Sequence, residues 1–270
     1  MPHRIDRIEG HVMPVNSFVV HGPEGLVVVD AMLTVSDAAL VRAAIDDAGQ
    51  PLAGVVITHP HPDHYAGLGH LVGQDDVPLV ATAAVDAVIR RDDAIKNDIV
   101  GPMMGDEWPV ERVFPNQLVE DGDEIRLGGV TLTVHDIGPA ESHVDSLWRL
   151  DEHTVFAGNI AYNQMHAYLA DGRWEDWLDA LTRLEAELPA EVTLLVGHGA
   201  AGGRELLAAQ RRYIESFVAA VRKNADAIAA GDHTAVLAAV QALVPGDDLL
   251  FLADLSIEPV LANLATGQAH

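Results

Sequence analysis

"THPHPDHYAG", residues 58–67, crowds three histidines and an aspartate into the six positions from His59 to His64, interrupted only by Pro60 and Pro62. The apolar run "AGVVITH" (53–59) leads into it and reads as a buried strand. Just past a strand, His59, His61 and Asp63 alternate in direction while His64 follows at once, so the side chains can be aimed into two adjacent pockets. The two prolines stiffen the connection and lower the entropic cost of holding four polar groups in one arrangement. A lone histidine is ordinary decoration. Three with a carboxylate at a strand end point to a pair of metal ions. The chain has no cysteine, which excludes disulfides, thiolate metal sites and a cysteine nucleophile, so any metal takes nitrogen and oxygen ligands.

A tetrahedral site needs more ligands than this stretch can aim at one ion. Two later histidines stand where strands end. His143 lies in the polar loop "GPAESHVDS" (138–146), and His198 follows the apolar run "TLLV" in "VGHGA" (196–200). Around these points short apolar runs alternate with helical patterns, and the chain does so twice. "NSFVVHG" and "GLVVVDA" (25–31) read as paired strands, followed by a helix through "SDAALVRAAIDDAG" with Ser36 as N-cap and Gly49 as terminator. The second half repeats the theme, with hairpin strands over 123–159, a helix across "EDWLDALTRLEAELP" and the strand "VTLLVGHG". Residues 92–117, with two glycines and three prolines, read as a mobile loop near the active face. Beyond Gly203 the pattern is helical, giving a division into a main domain (1–203) and a helical C-terminal extension (204–270).

These motifs, in this order, resemble those of the metallo-β-lactamase-fold hydrolases: "HPHPDH" matches the HxHxDH motif, "SHVDS" the single-histidine loop, and "GHG" the last histidine motif. The resemblance covers roughly residues 10–203. It implies an α/β fold, a four-layer αββα sandwich with the site at the edge between two sheets. It implies two zinc ions, one held by His59, His61 and His143 and the other by Asp63, His64 and His198, with Asp63 also orienting the attacking water. Many members carry an aspartate bridging both metals in a motif like FAGD, where this chain reads "FAGN" with Asn159. A neutral amide cannot bridge two cations, so the second site is expected to be weakened. The implied activity is zinc-dependent hydrolysis of an ester, lactone, thioester or lactam. The alternative is a metal- or metabolite-binding protein of the same fold with weak turnover owing to Asn159. Tyr65, Tyr162 and His166 are expected near the substrate or behind the ligands.

The composition narrows the partners. At 49% hydrophobic residues, 270 residues fill a sizeable core. The 41 acidic against 16 basic residues give a net charge of −25, which repels nucleic-acid phosphates and anionic membranes. A small-molecule substrate is the expectation. The opening residues lack the basic-then-apolar order of a secretory signal, which gives a cytoplasmic expectation. The apolar helical tail either covers the core edge or pairs with a second copy in a homodimer. "SHVD" (142–145) holds Ser, His and Asp, but sequence neighbours cannot form a nucleophile–base–orienter line, and no G-x-S-x-G elbow, P-loop or dinucleotide fingerprint is present.

Overall fold

The run Leu26–Val29 is buried on both faces, and its residues divide between two cores: Leu26 and Val28 join one apolar cluster, Val27 and Val29 another. The same alternation splits Val19 from Phe18 and Val20, Val55 from Val56, Leu147 from Trp148, and Leu194 and Val196 from Leu195. Side chains of period two that bury both ways belong to sheets covered on both faces. The cluster containing Val27 draws on both sheets, so it lies between them, with the ring centroids of Phe18 and Phe156 5.5 Å apart across the interface.

A computed structural model describes residues 3–266. One sheet runs in chain order through β1 (Arg4–Glu9), β2 (Asn16–His21), β3 (Leu26–Val29), β4 (Leu52–Val56), β5 (Leu79–Thr82) and β6 (Gln117–Val119). Its first three strands are antiparallel and the rest parallel. The other sheet contains β7 (Glu124–Leu127), β8 (Val130–Gly138), β9 (Asp145–Arg149), β10 (Thr154–Tyr162) and β11 (Thr193–His198), in the order β11-β10-β9-β8-β7. The helices are α1 (Val35–Ala48), α2 (Pro62–Tyr65), α3 (Leu68–Val72), α4 (Ala83–Met104), α5 (Trp174–Glu187), α6 (Glu205–Lys223), α7 (Ala225–Ala229), α8 (Thr234–Gln241) and α9 (Leu250–Thr266). Helices α1 and α4 pack on the first sheet, and α6 on β10 of the second. This is the expected αββα sandwich. The stretch after Gly203 is helical as read, with α6 packed on α5 and α9 on α6; its last four positions, 267–270, lie outside the described residues. Among the described residues no helix is long and apolar enough to cross a membrane.

Two expectations need correction. Residues 92–104 are not a loop but the second half of α4, which ends at Gly105 with φ +56°. The helix is fully buried only near its start, at Val85, Asp86 and Ile89, and touches the core again through the partly buried Val100 and Met104; Gly101 and Pro102 interrupt the helical pattern of its later turns. Pro102 falls in the last turn, where it has no N–H to donate to the carbonyl four residues back, and the helix ends two residues later. Helix α1 is capped by Thr34, whose hydroxyl accepts from the Asp37 N–H at 3.2 Å. Ser36 lies inside the helix and donates its hydroxyl to Glu107 at 2.7 Å. Gly49 closes the helix in the left-handed region, as expected.

Because Phe156 fills the space between the sheets, Phe156→Ala should cost about 3–5 kcal/mol of stability. Chemical denaturation measures this, and a loss below about 1 kcal/mol would contradict the inter-sheet position.

Candidate metal centre

Where β4 ends, the chain passes through Thr58 and His59 and turns at His61 into the single-turn helix α2, with Pro62 at its first position, where no N–H is needed. The turn places His59, Asp63 and His64 at one end of the sandwich. The C-terminal end of β11 brings His198 to the same end, and the loop between β8 and β9 brings Glu141. Two groups of potential ligand atoms result, His59–His61–Glu141 and Asp63–His64–His198, each with its atoms within 4.8 Å of one another. The groups adjoin, since the His59 and His64 rings are 4.0 Å apart between centroids. All six side chains are buried or nearly so.

The outward nitrogens of the histidines are occupied. His64 Nδ1 donates to Asp30 Oδ2 at 2.8 Å, His198 Nδ1 to the Pro14 carbonyl at 2.7 Å, and His61 Nε2 to Asp171 Oδ2 at 3.0 Å. Thr58 gives its only hydroxyl hydrogen to Asp30 Oδ2 at 2.8 Å, so its contact with His59 Nδ1 at 2.9 Å has the histidine as donor. Each imidazole therefore turns its other ring nitrogen inward.

The inward atoms lack partners. His59 Nε2, His64 Nε2, His198 Nε2 and Glu141 Oε2 are buried without a hydrogen bond. Glu141 Oε2 is 3.0 Å from His61 Nδ1 and 3.7 Å from His59 Nε2, and Asp63 Oδ2 is 3.4 Å from His64 Nε2 and 3.2 Å from His198 Nε2. Orphaned polar atoms are costly in an interior, and a shared cation satisfies all of them. The donor set of two imidazoles and a carboxylate per group, with room for a further ligand, fits a pair of divalent ions.

His143 does not join them. The Asp145 carboxylate accepts from the Ser142 N–H at 2.9 Å and the Ser142 hydroxyl donates to the Val144 carbonyl at 2.8 Å, a tight turn that points Glu141 inward. His143, two residues on, is half-buried with Nδ1 3.4 Å from the Arg173 guanidinium. Glu141 stands where His143 was expected. Asn159 and Tyr162 are at the centre but in neither group: Asn159 Nδ2 donates to the Tyr162 hydroxyl at 3.1 Å, which donates to Glu141 Oε1 at 2.9 Å. The Tyr162 ring stacks on His198, with 4.7 Å between centroids. Gly197 leaves room for this arrangement, since a Cβ there would lie 2.3 Å from Asn159 Oδ1.

The other two candidates serve elsewhere. Tyr65 is buried and donates to Asp93 on α4 at 2.8 Å. His166 sits between the Tyr213 hydroxyl at 3.1 Å and the Gly246 carbonyl at 3.2 Å, tying the strand-exit loop to the C-terminal helices. Sequence reasoning missed Glu141, Asp171 and Tyr168, whose ring stands edge-on to His61 at 5.4 Å. The position of Glu141 beside the expected histidine loop was the one available signal.

The electrostatics follow from the packing. Burial disfavours a charged His61, but Glu141 and Asp171 outweigh it and hold its pKa well above the usual histidine value. His64 is likewise penalised by burial and raised by Asp63 and Asp30, to about 10. His59 is pushed well below the usual value by burial and by the neighbouring histidines. Burial and the nearby Glu141 raise Asp145 to about 7.

A family model for the metallo-beta-lactamase superfamily matches residues 11–198. The chain belongs to the metallo-beta-lactamase superfamily. Among curated relatives, it is 24% identical over 182 residues to a hydroxyacylglutathione hydrolase of Rhodopseudomonas palustris (strain BisB5), covering 67% of this chain and 61% of that one. It is 32% identical over 184 residues to the acyl-coenzyme A thioesterase MBLAC2 of Bos taurus, covering 60% and 61%. The chain thus spans about three fifths of the length of these relatives. Among solved structures, a metallo-beta-lactamase family protein of Thermus thermophilus superposes with a TM-score of 0.67 at 17% identity, over 97% of this chain and 94% of that one. A double mutant of the sec-alkyl sulfatase PisA1 superposes with a TM-score of 0.63 at 18% identity, over 100% of this chain and 51% of that one. At these identities the superpositions speak to the fold.

Glu141→Gln should lower uptake of divalent metal by the first group, whereas His143→Ala should leave metal stoichiometry unchanged; metal analysis after dialysis checks both. Asp30→Asn, which disturbs a histidine in each group, should weaken metal affinity by about 10–100-fold. Because metal-free His61 and His64 hold their protons at neutral pH, metal uptake at pH 7 should release protons and strengthen as pH rises. Calorimetry in two buffers of different ionisation enthalpy measures the release.

Proposed function

We propose that this protein is a zinc-dependent hydrolase with two metals per chain, acting on an acyl thioester or ester of a small molecule. The observation that carries the reading is the pair of adjoining groups, each of two histidines and one carboxylate, with their inward atoms orphaned beneath an open pocket. Zinc in such a site lowers the pKa of a coordinated water and polarises a carbonyl.

The chain's own residues set the rest of the chemistry. His59, His61 and Glu141 would hold one ion, and Asp63, His64 and His198 the other. Asp171 and Asp30 fix the imidazole tautomers so that lone pairs face the ions. Tyr162, held well above the usual tyrosine pKa by burial and by Glu141, keeps its proton and clamps Glu141 Oε1, leaving Oε2 for the metal. Asn159 holds the Tyr162 hydroxyl in turn. Asp63, 13% exposed at the pocket floor, can orient the attacking water by accepting its hydrogen.

A thioester is the favoured leaving-group class because both named groups of curated relatives, a hydroxyacylglutathione hydrolase and an acyl-coenzyme A thioesterase, bear names of thioester cleavage. The binding-protein alternative rested on the lost carboxylate at Asn159. Glu141 offsets that loss, which favours turnover.

The test is a panel of thioesters, esters, lactones and a chromogenic lactam, with and without chelator. Thioester or ester hydrolysis should vanish on chelation and return with zinc. Hydrolysis insensitive to chelation, or two bound metals with no turnover across the panel, would contradict the proposal.

A further inference from the structure

A very acidic chain exposes few large apolar side chains, and those it does expose are not scattered. Of the nine large hydrophobics exposed among the described residues, Ile99, Met103, Phe251 and Leu255 line one cavity. Ile99 and Met103 are one turn apart on α4, and Phe251 and Leu255 one turn apart on α9. Two helices some 150 residues apart in the chain thus present apolar ridges to the same space. Met13 and Leu33, from the loops beside β2 and α1, extend the apolar lining.

The floor of this cavity is the metal centre itself: His61, Asp63, Asn159 and Tyr162 face it. Lys96 is the one basic side chain apart from His61 among the lining residues. The cavity holds about 150 Å³ and opens to solvent between the two helices, room for several methylene groups beyond a reacting carbonyl. An exposed apolar lining over a polar reactive floor matches a ligand that is apolar at one end and polar at the bond to be broken. The flexible methionines at 13, 103 and 104 suit chains of differing length.

We infer that the cavity between α4 and α9 takes the straight aliphatic acyl chain of the substrate, so that the enzyme selects medium- and long-chain acyl thioesters over acetyl ones. The inference rests on the hydrolase reading and assigns its substrate class. The acyl chain, rather than the thiol part, occupies the cavity because a polar leaving group would lose hydration there and find almost no partners. The leaving thiol then faces open solvent. Water adds to the acyl carbon, the carbon–sulfur bond breaks, one of the water's protons passes to the leaving sulfur and the other to solvent, and the products are a fatty carboxylate and the thiol.

The test uses the full zinc-loaded chain and S-acyl thioesters of N-acetylcysteamine with straight chains of two to twelve carbons. The ratio kcat/KM should rise with length by up to about fourfold per methylene until the cavity is filled. Ile99→Asp and Leu255→Asp, at exposed positions, should flatten that rise, with thermal melting as the control for folding. A readout independent of turnover is binding of octanoate, decanoate and dodecanoate to chelator-treated protein by calorimetry, which should tighten with length and lose that trend in Leu255→Asp. Cleavage of the acetyl thioester with no gain from longer chains, and fatty carboxylates binding no better as they lengthen, would overturn this inference and leave the hydrolase reading intact. Absence of turnover for every chain length would overturn the hydrolase reading and the acyl substrate with it. A stable dimer dissociated by Ile99→Asp and Leu255→Asp, with no chain-length trend, would assign the ridges to a second copy instead.

Discussion

One buried carboxylate organises the centre. Asp30, at the exit of β3 with φ +61°, accepts from the Thr58 N–H at 2.9 Å, from the Thr58 hydroxyl at 2.8 Å and from His64 Nδ1 at 2.8 Å. Through Thr58 it fixes His59, and directly it fixes His64, so it sets the tautomer of one histidine in each group. Aspartate tolerates the left-handed backbone better than most residues, and the strain it stores there is offset by three hydrogen bonds in an interior. The parallel pairing of β3 with β4 makes this possible, because it carries Asp30 and Thr58 out of neighbouring strands at the same end of the sheet. The position of the centre is a consequence of sheet topology before it is one of ligand chemistry.

The distribution of charge follows. A bridging carboxylate is absent at Asn159, and a carboxylate appears at Glu141 instead. Each group then carries one formal negative charge among its ligands, from Glu141 in one and Asp63 in the other, in place of a charge shared between them. Asp30 and Asp171 add negative charge just behind the imidazoles, which favours cations over the empty site. The protonation that these acids impose on His61 and His64 is what a metal must displace. The same carboxylates that would stabilise the loaded centre therefore make the empty one hold protons.

Much of this was legible in the chain. The HPHPDH stretch carried its meaning locally, since strand exit, proline spacing and residue type all agreed, and His198 was readable because the apolar run before it ends abruptly. Glu141 was not. In a chain with 41 acidic residues one more glutamate carries no signal by type, and only the turn pinned by Asp145 decides that it, and not His143, points inward. Asp171 was hidden for the same reason. Tyr65 and His166 read as site neighbours because they are near it in sequence, yet their hydroxyl and ring nitrogens are taken up by Asp93, Tyr213 and Gly246. The second half of α4 was not legible because Gly101 and Pro102 interrupt its pattern and its apolar side chains are divided between the core, through Val100 and Met104, and the cavity, through Ile99 and Met103.

The most direct measurement is a crystal structure of the zinc-soaked protein with anomalous diffraction recorded on both sides of the zinc edge. Two peaks should appear side by side, one within bonding distance of His59, His61 and Glu141 and the other of Asp63, His64 and His198. A peak bonded to His143 with Glu141 turned away, or no peak among these six side chains, would contradict the arrangement described.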